Sequence, residues 1–269
     1  MLRVGGVPEH FNFPWLTAIE TGAARQLGLE LAWQDYPTGT GAMLADLVEG
    51  EIDLAVLLTE GAALGLARHL PIEAISLYTE SPLIWGIHVH PASRLDSVDA
   101  LPGARFAVSR HGSGSHLMSL ALALDRGWPR ESIEFVVVGD INGAIESIGA
   151  GRSDAFLWEH FTTEPAVRAG HFRRIGDFVS PWPAWVVCTR QGLDARDRLH
   201  ELIGVVAECA ADLADDPTTA LRIAAHYGLD EAGVRLWLEG TRWVERPTEP
   251  ASALAAATAM LREAGAIGA

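Results

Sequence analysis

The sequence contains no lysine, and all twenty of its basic residues are arginines spread along 269 residues. Schiff-base and pyridoxal-phosphate enzymes need a lysine amine, so its absence excludes that class. The formal net charge is −15, and the arginines form no cluster. Because affinity for nucleic acid comes from clustered cations on phosphates, we expect no nucleic-acid partner.

Cysteines and long apolar runs are also scarce. Cys188 and Cys209 lie far apart and lack metal-site spacing, so we expect buried free thiols, with a disulfide as the alternative. No stretch approaches the ~18 uninterrupted apolar residues of a membrane span, and we expect no membrane insertion. The opening MLRVGGVPEHF has no signal-peptide pattern. We expect a cytoplasmic protein, although a periplasmic or extracellular chain whose signal had been removed would look the same.

Short apolar runs alternate with helical patterns up to about residue 190, which is typical of βαβ units with parallel strands. The first predicted elements are strand Leu2–Val7, helix Pro14–Leu27, strand Leu29–Tyr36, helix Gly41–Glu49 and strand Ile52–Leu58. The remainder is helical, with predicted helices at Ala195–Ala214, Pro217–Tyr227, Asp230–Glu239 and Ala251–Ala264.

An internal repeat appears at an offset of about 100 residues. VPEH (7–10) matches VSRH (108–111), and TGAM (40–43) matches NGAI (142–145). EGEIDLAVLL (49–58) then matches AGRSDAFLWE (150–159), which aligns Asp53 with Asp154. The shared order of the three matches predicts two similar lobes.

Two extended, proline-bounded segments flank the second half of the repeat, at 81–91 and 180–190. We interpret them as two crossings between lobes. The first lobe would comprise residues 1–88 and 185–269, and the second residues 89–184. We expect the ligand in the cleft between them, because α/β sheets bind ligands beyond the carboxyl ends of their strands and often at domain interfaces.

Several motifs in this order resemble those of type II periplasmic binding proteins. They are the opening strand and turn, GTGA (39–42), GEIDLAV (50–56), the Gly/Ser joint at 112–115, and GxxDAxxWE (151–159). The most similar branch binds nitrate, sulfonates, taurine or the pyrimidine precursor of thiamine. The resemblance implies an α/β protein with a two-lobed type II fold, in which each lobe is a mixed, mostly parallel sheet flanked by helices and two crossover strands form a hinge.

The resemblance also implies a function, namely the capture of a small molecule for delivery to an ABC transporter permease. The sequence departs from the pattern in having no export signal and in reading Trp158-Glu159-His160 where the family has Trp-Glu-Pro. The cysteine-rich iron motif and the lysine of the related pyrimidine synthases are absent. No cofactor and no metal are therefore expected.

The stretch SRHGSGSH (109–116) lies between a predicted strand and a predicted helix. Such a joint directs backbone amides and a helix N-terminus at a ligand, so we predict that Gly112, Ser113, Gly114, Ser115 and His116 bind it. The alternative is a simple helix cap, with Ser115 as the capping residue. A nucleophilic serine is disfavoured because GSGS does not match the GxSxG elbow.

Further ligand-binding candidates follow the other predicted strands. In the first lobe they are Glu9, His10 and Phe11, the helix-opening Gly39, Thr40 and Gly41, and Thr59 and Glu60. In the second lobe they are Trp158 and Glu159, to which Trp182 of the second crossing is added. For each of them the alternative is an ordinary role in a turn, in the core or at the surface.

The charges among these candidates indicate the ligand class. Glu9, Glu60 and Glu159 face only one nearby cation, Arg110, which favours a planar amine-bearing heterocycle such as an aminopyrimidine over a small inorganic anion. A sulfonate or carboxylate stays possible. We therefore predict a solute-binding protein; the alternatives are a cytoplasmic enzyme using His10, His116 and the glutamates in acid–base chemistry, or a ligand-sensing module.

Overall fold

The structure is a computed structural model that describes residues 1–193 and 196–268. Residue 195, with which the long predicted helix begins, and residue 269 lie outside the described residues. The chain divides into two compact units. The first consists of Met1–Pro82 and Trp182–Ala256, and the second of Leu83–Pro181 and the described residues from Ala257 onward.

The strands of the described residues, in chain order, are β1 (Leu2–Gly6), β2 (Leu31–Asp35), β3 (Leu54–Leu58), β4 (Ile72–Leu77), β5 (Pro82–Val89), β6 (Arg105–Val108), β7 (Glu134–Val137), β8 (Ala155–Glu159), β9 (Arg173–Pro183) and β10 (Trp185–Arg190). The α-helices are α1 (Phe13–Thr21), α2 (Thr40–Glu49), α3 (Thr59–Ala67), α4 (Gly114–Asp125), α5 (Ile141–Gly149), α6 (Glu164–Arg168), α7 (Arg196–Asp215), α8 (Thr219–Tyr227), α9 (Glu231–Gly240) and α10 (Ala251–Glu263).

The first unit is built on a mixed sheet in the order β2-β1-β3-β10-β4. β1 pairs in parallel with β2 and β3, whereas β10 runs antiparallel to its neighbours β3 and β4. β3 reads LAVLL and is buried throughout, as expected of a central strand covered on both faces. The helix α7 packs against α1 and β4 through a buried apolar stripe that includes Leu199, Leu202, Val206 and Leu213.

The second unit repeats this arrangement in the order β7-β6-β8-β5-β9. β6 is parallel to β7 and β8, and β5 is antiparallel to β8. Its core includes Ala107, Ile148, Phe156 and Phe172, against which partly buried side chains such as Trp158 pack. Two mixed, mostly parallel sheets flanked by helices confirm the predicted α/β fold class.

The predicted repeat extends to a pair of arginine–aspartate clasps. The Arg3 guanidinium contacts both carboxylate oxygens of Asp53, at 3.2 and 3.0 Å, and also donates to the Gly50 carbonyl. Arg105 holds Asp154 in the same bidentate way, with both distances at 2.8–2.9 Å. The first clasp ties the start of β1 to the segment that enters β3, and the second ties the start of β6 to the segment that enters β8. Each clasp thus fixes the parallel pairing at the amino ends of these strands.

Two details differ from the sequence prediction. The helix predicted over Pro14–Leu27 ends at Thr21, because Gly22 takes a left-handed conformation (φ 69°) and a 3₁₀ turn follows over Ala23–Leu27. The second difference concerns the C-terminal residues, which the sequence placed in the first lobe. Residues 257–268 group with the second unit, where the Arg130 side chain donates to the Ala264 carbonyl.

We predict that Asp154→Asn lowers the melting temperature at pH 7 by roughly 2–4 °C. Hydrogen bonds from Arg105 hold the pKa of Asp154 below its ordinary value. A carboxylate with a depressed pKa contributes stability above its unfolded-state pKa and loses it as the pH falls through the folded-state pKa. The difference between variant and wild type should therefore vanish in acid, as followed by thermal melts between about pH 7 and pH 3.

Asp99→Asn is the matched control. Asp99 also pairs with an arginine, Arg126, but its side chain is 80% exposed. A surface ion pair of this kind contributes little to stability. An equal loss of melting temperature in both variants would contradict a specific role for the Arg105–Asp154 pair.

Candidate functional site

In the first unit, the strand order collects the predicted site residues along one edge of the sheet. β1, β2 and β3 are parallel, so their carboxyl ends meet at this edge, and antiparallel β10 starts there because Trp185 pairs with Leu58. The residues of this edge are Glu9, His10, Phe11, Gly39, Thr40, Gly41, Thr59, Glu60 and Trp182.

Glu60 and Trp182 are joined by a hydrogen bond across 122 positions of sequence. The Trp182 indole Nε1 donates to Glu60 Oε2 at 3.0 Å, and Glu60 is 1% exposed. The other carboxyl oxygen, Oε1, has no hydrogen-bond partner. Burial raises the pKa of Glu60 to about 7, although the bond from Trp182 and that from its own amide lower it. Glu60 is therefore a buried carboxyl group that changes protonation state near neutral pH.

Thr59 and Thr40 build the supporting structure around Glu60. The Thr59 hydroxyl donates to the Pro183 carbonyl, which attaches the start of α3 to the segment that carries Trp182. Thr40 opens α2 after Gly39, whose φ of 76° favours glycine. The methyl group of Thr40 packs closely onto Gly61. A Cβ atom added at Gly61 would lie only 2.5 Å from that methyl carbon. Close packing of α2 on α3 thus fixes the helix turn that bears Glu60.

His10 and Phe11 lie in an aromatic cluster that the sequence did not predict. The His10 ring meets Trp237 edge-on at 4.2 Å and lies 6.4 Å from Tyr227. Burial lowers the pKa of His10 to about 3, so it is neutral near pH 7. The Phe11 carbonyl accepts hydrogen bonds from the Tyr78 hydroxyl and the Trp243 indole. The apolar spacing on α9 predicts that Trp237 is buried. No local sequence pattern shows that it packs against the His10 ring.

Glu9 is half-buried and immediately precedes the short 3₁₀ turn His10–Asn12. Phe13 and Trp15 of α1, which follow this turn, are buried.

In the second unit the equivalent edge carries the Gly/Ser joint. Ser113 caps α4 by accepting from the His116 amide, and its hydroxyl donates to the Arg110 carbonyl at 2.7 Å. Ser115 Oγ accepts from the Ser109 amide. The capping residue is thus Ser113, not Ser115 as the alternative interpretation expected. The amides of Gly114 and Ser115 then stand in the first turn of a 12-residue helix without an intrahelical acceptor.

The His116 ring is oriented by the loop that precedes it. Its Nδ1 accepts from the Gly112 amide at 3.2 Å, and the ring packs edge-on against Phe135 at 4.4 Å. Burial, helped by nearby His111 and Arg130, lowers the pKa of His116 to about 4. The neutral ring completes the loop, and among the described residues neither the Ser113 nor the Ser115 hydroxyl is hydrogen-bonded to a histidine ring.

Trp158 and Glu159 end β8 at the same edge as the joint, because β6 and β8 are parallel. Trp158 stacks on Phe156 with ring centroids 5.3 Å apart and packs against the core, partly exposed. Glu159 is 3% exposed, and its Oε2 accepts from the Thr162 amide at 2.6 Å. Burial raises the pKa of Glu159.

The histidine that replaces the proline of the family pattern joins a polar network. His160 Nδ1 lies 2.7 Å from Asp177 Oδ1, and its Nε2 lies 2.8 Å from the Arg174 guanidinium. A ring protonated on Nδ1 satisfies both contacts, because it donates to Asp177 and accepts from Arg174. Arg174 and Asp177 could not be predicted from the sequence, because alternation along an edge strand does not show which charged side chains point inward.

No group of three or more His, Cys, Asp or Glu side chains among the described residues is arranged to hold a metal ion. None of the described helices has the length and apolarity needed to cross a bilayer. The first unit contains a cavity of about 570 Å³ near the C-terminal end of α7 and the segment 241–245, and no predicted site residue lines it.

Comparisons with known proteins agree with this architecture. A family model described as Ca3427-like PBP, a periplasmic-binding-protein family, matches residues 85–178. The CA3427 gene product of Candida albicans, which has the generic periplasmic binding protein fold, is 25% identical, with a TM-score of 0.93 over 100% of this chain and 91% of that one. No curated protein matches the chain in sequence.

Two alkanesulfonate-type binding proteins share the fold at lower identity. SsuA from Xanthomonas axonopodis pv. citri, bound to MOPS, is 18% identical, with a TM-score of 0.83 over 100% of this chain and 94% of its own. The aliphatic sulphonate binding protein SsuA from Escherichia coli is 17% identical, with a TM-score of 0.74 over 99% and 88%. The family model and the solved structures confirm the resemblance to type II periplasmic-binding-protein-like proteins that the sequence predicted.

We predict that Ser113→Ala destabilises the second unit by about 1 kcal/mol, whereas Ser113→Gly costs only a few tenths. Both variants remove the hydroxyl that accepts from the His116 amide. Glycine costs less than alanine because it leaves that amide open to water. Urea unfolding of both variants measures the difference. Equal losses would contradict Ser113 as the helix cap.

Proposed function

We propose that the chain binds a small organic solute through the carboxyl edges of its two sheets. The observation that carries this proposal is the Glu60–Trp182 pair, a buried carboxyl group with one oxygen still unpartnered at the edge where α/β proteins bind ligands. The Ser113-capped N-terminus of α4 adds amide donors at the corresponding edge of the second unit. The first edge offers an acceptor group and the second offers donor groups to a polar solute.

The proposed ligand is a planar heterocycle such as an aminopyrimidine, or a sulfonate or carboxylate. The buried carboxyl groups of Glu60 and Glu159 favour a ligand with hydrogen-bond donors. The helix N-terminus and the binding of MOPS by a structural relative named for alkanesulfonates favour an anionic group. A solute that carries both hydrogen-bond donors and an anionic group agrees with the buried carboxyl groups and with the helix N-terminus.

Delivery to an ABC transporter permease is part of the proposal. One structural relative is the ligand-binding component of an ABC-type import system from Staphylococcus aureus. It is 13% identical and supports this role only through the shared fold.

An enzyme on the same fold is the second candidate, and the Glu60 pKa of about 7 is the observation that favours it. General acids and bases work best when their pKa lies near the operating pH. The histidines, with pKa values of about 3 and 4, are weak bases at neutral pH. Glu60 is therefore the stronger candidate for acid–base chemistry.

We predict that a thermal-shift screen of aminopyrimidines, sulfonates, nitrate, small carboxylates and aromatic acids yields a stabilising ligand. A ligand at ~100 times its dissociation constant adds about 2.7 kcal/mol, a shift of several degrees at this size. The ligand is then incubated with the protein and recovered for mass analysis. Unchanged recovery supports binding, whereas chemical conversion that Glu60→Gln abolishes would establish the enzyme instead.

Hinge closure at 81–91 and 180–190 remains a prediction of the sequence analysis. Closing two lobes over a ligand makes a protein more compact. We expect small-angle X-ray scattering to show a smaller radius of gyration when the ligand found in the screen is added. Identical scattering with and without saturating ligand would contradict closure.

A further inference from the structure

The environment of Glu60 leaves one hydrogen-bonding position open. Oε2 receives the Trp182 indole proton, and Oε1 is buried without a partner. Other buried polar atoms lack partners too, among them the indole nitrogens of Trp85 and Trp185. Those are neutral donors, and an unpaired oxygen on a carboxylate is costlier because the ionised group loses far more solvation on burial.

The fold holds this open position rigidly. Trp182 fixes one oxygen, Thr59 ties the first turn of α3 to the chain before β10, and the contact of Thr40 with Gly61 leaves α3 no room to shift toward α2. A fixed acceptor distinguishes solutes with a donor from solutes without one better than a mobile acceptor does, because a fixed carboxylate cannot turn toward another donor.

We infer that Glu60 Oε1 is the group of the first unit that selects solutes carrying an N–H donor, such as an amine, an amidine or a ring N–H, over isosteric solutes that lack it. The inference rests on the proposed function, and it names the chemistry of the ligand at this edge. A solute N–H, neutral or cationic, completes the hydrogen bonds of the carboxylate, whereas a methyl group in its place leaves Oε1 buried and unpaired. Sites built to bond a polar group reject analogues that lack it for this reason.

Two matched probe pairs test the inference by titration calorimetry. The first pair is an aminopyrimidine and the pyrimidine in which a methyl group replaces the amino group. The second is taurine and n-propanesulfonate, in which a methyl group replaces the ammonium. In at least one pair we expect wild type to bind the nitrogen-bearing member at least about 10-fold more tightly.

Glu60→Gln keeps the shape and an acceptor for Trp182 but turns the open position into an N–H₂ donor. We expect the preference to fall to within about 3-fold or to reverse. Asp53→Asn is the control, because it makes the same change from carboxylate to amide at the amino ends of the strands of the same unit. It should retain the wild-type preference.

Each outcome is decisive. Equal wild-type affinity for both members of every bound pair overturns the inference and leaves the proposed function standing, and this comparison needs no variant to fold. If Glu60→Gln keeps the wild-type preference for the nitrogen-bearing probe, the inference is also overturned, because another residue then binds the donor. Failure of wild type to bind these probes and every ligand of the screen overturns the proposed function together with the inference.

Discussion

The parallel pairing of three strands in each unit is the constraint on which the candidate site depends. Parallel strands end at the same edge, so segments far apart in sequence are delivered to one place. The Arg3–Asp53 and Arg105–Asp154 clasps secure the opposite edge and so hold the register. The clasps occupy the amino ends of the strands, and the candidate-site residues lie at the carboxyl ends.

The two edges differ in electrostatic character. The first unit presents a buried carboxyl group beside an indole, and the second presents a serine-capped helix N-terminus. One edge accepts hydrogen bonds and the other donates them. Neither is suited to a simple inorganic anion alone, since Glu60 and Glu159 would repel it when ionised. The first edge suits a solute group with a hydrogen-bond donor, and the second suits an acidic or acceptor group.

Much of the fold could be predicted from the sequence, because strand alternation and the repeat are local patterns that recur in order. Asp53 and Asp154 were identified as equivalent, but their arginine partners were not, because the pairing spans about 50 residues and no spacing rule connects them. The link between Glu60 and Trp182 could not be predicted for the same reason. The end of α1 was also missed, because the helical pattern of the sequence continues past Gly22, the glycine that ends the helix.

Burial decides which titratable groups of the candidate site remain chemically useful. Burial works against the charged form of either type, so it lowers the pKa of His10 and His116 and raises that of Glu60. The histidines that the sequence offered as acid–base groups are therefore neutral near pH 7 and act as packing and orienting rings. The carboxyl group of Glu60, which the sequence offered both as a ligand contact and as an acid–base group, is the one whose charge a bound donor would set. The proposed binding of a donor at Glu60 would link ligand binding to proton binding, since a donor that favours the ionised form displaces a proton from the carboxyl group.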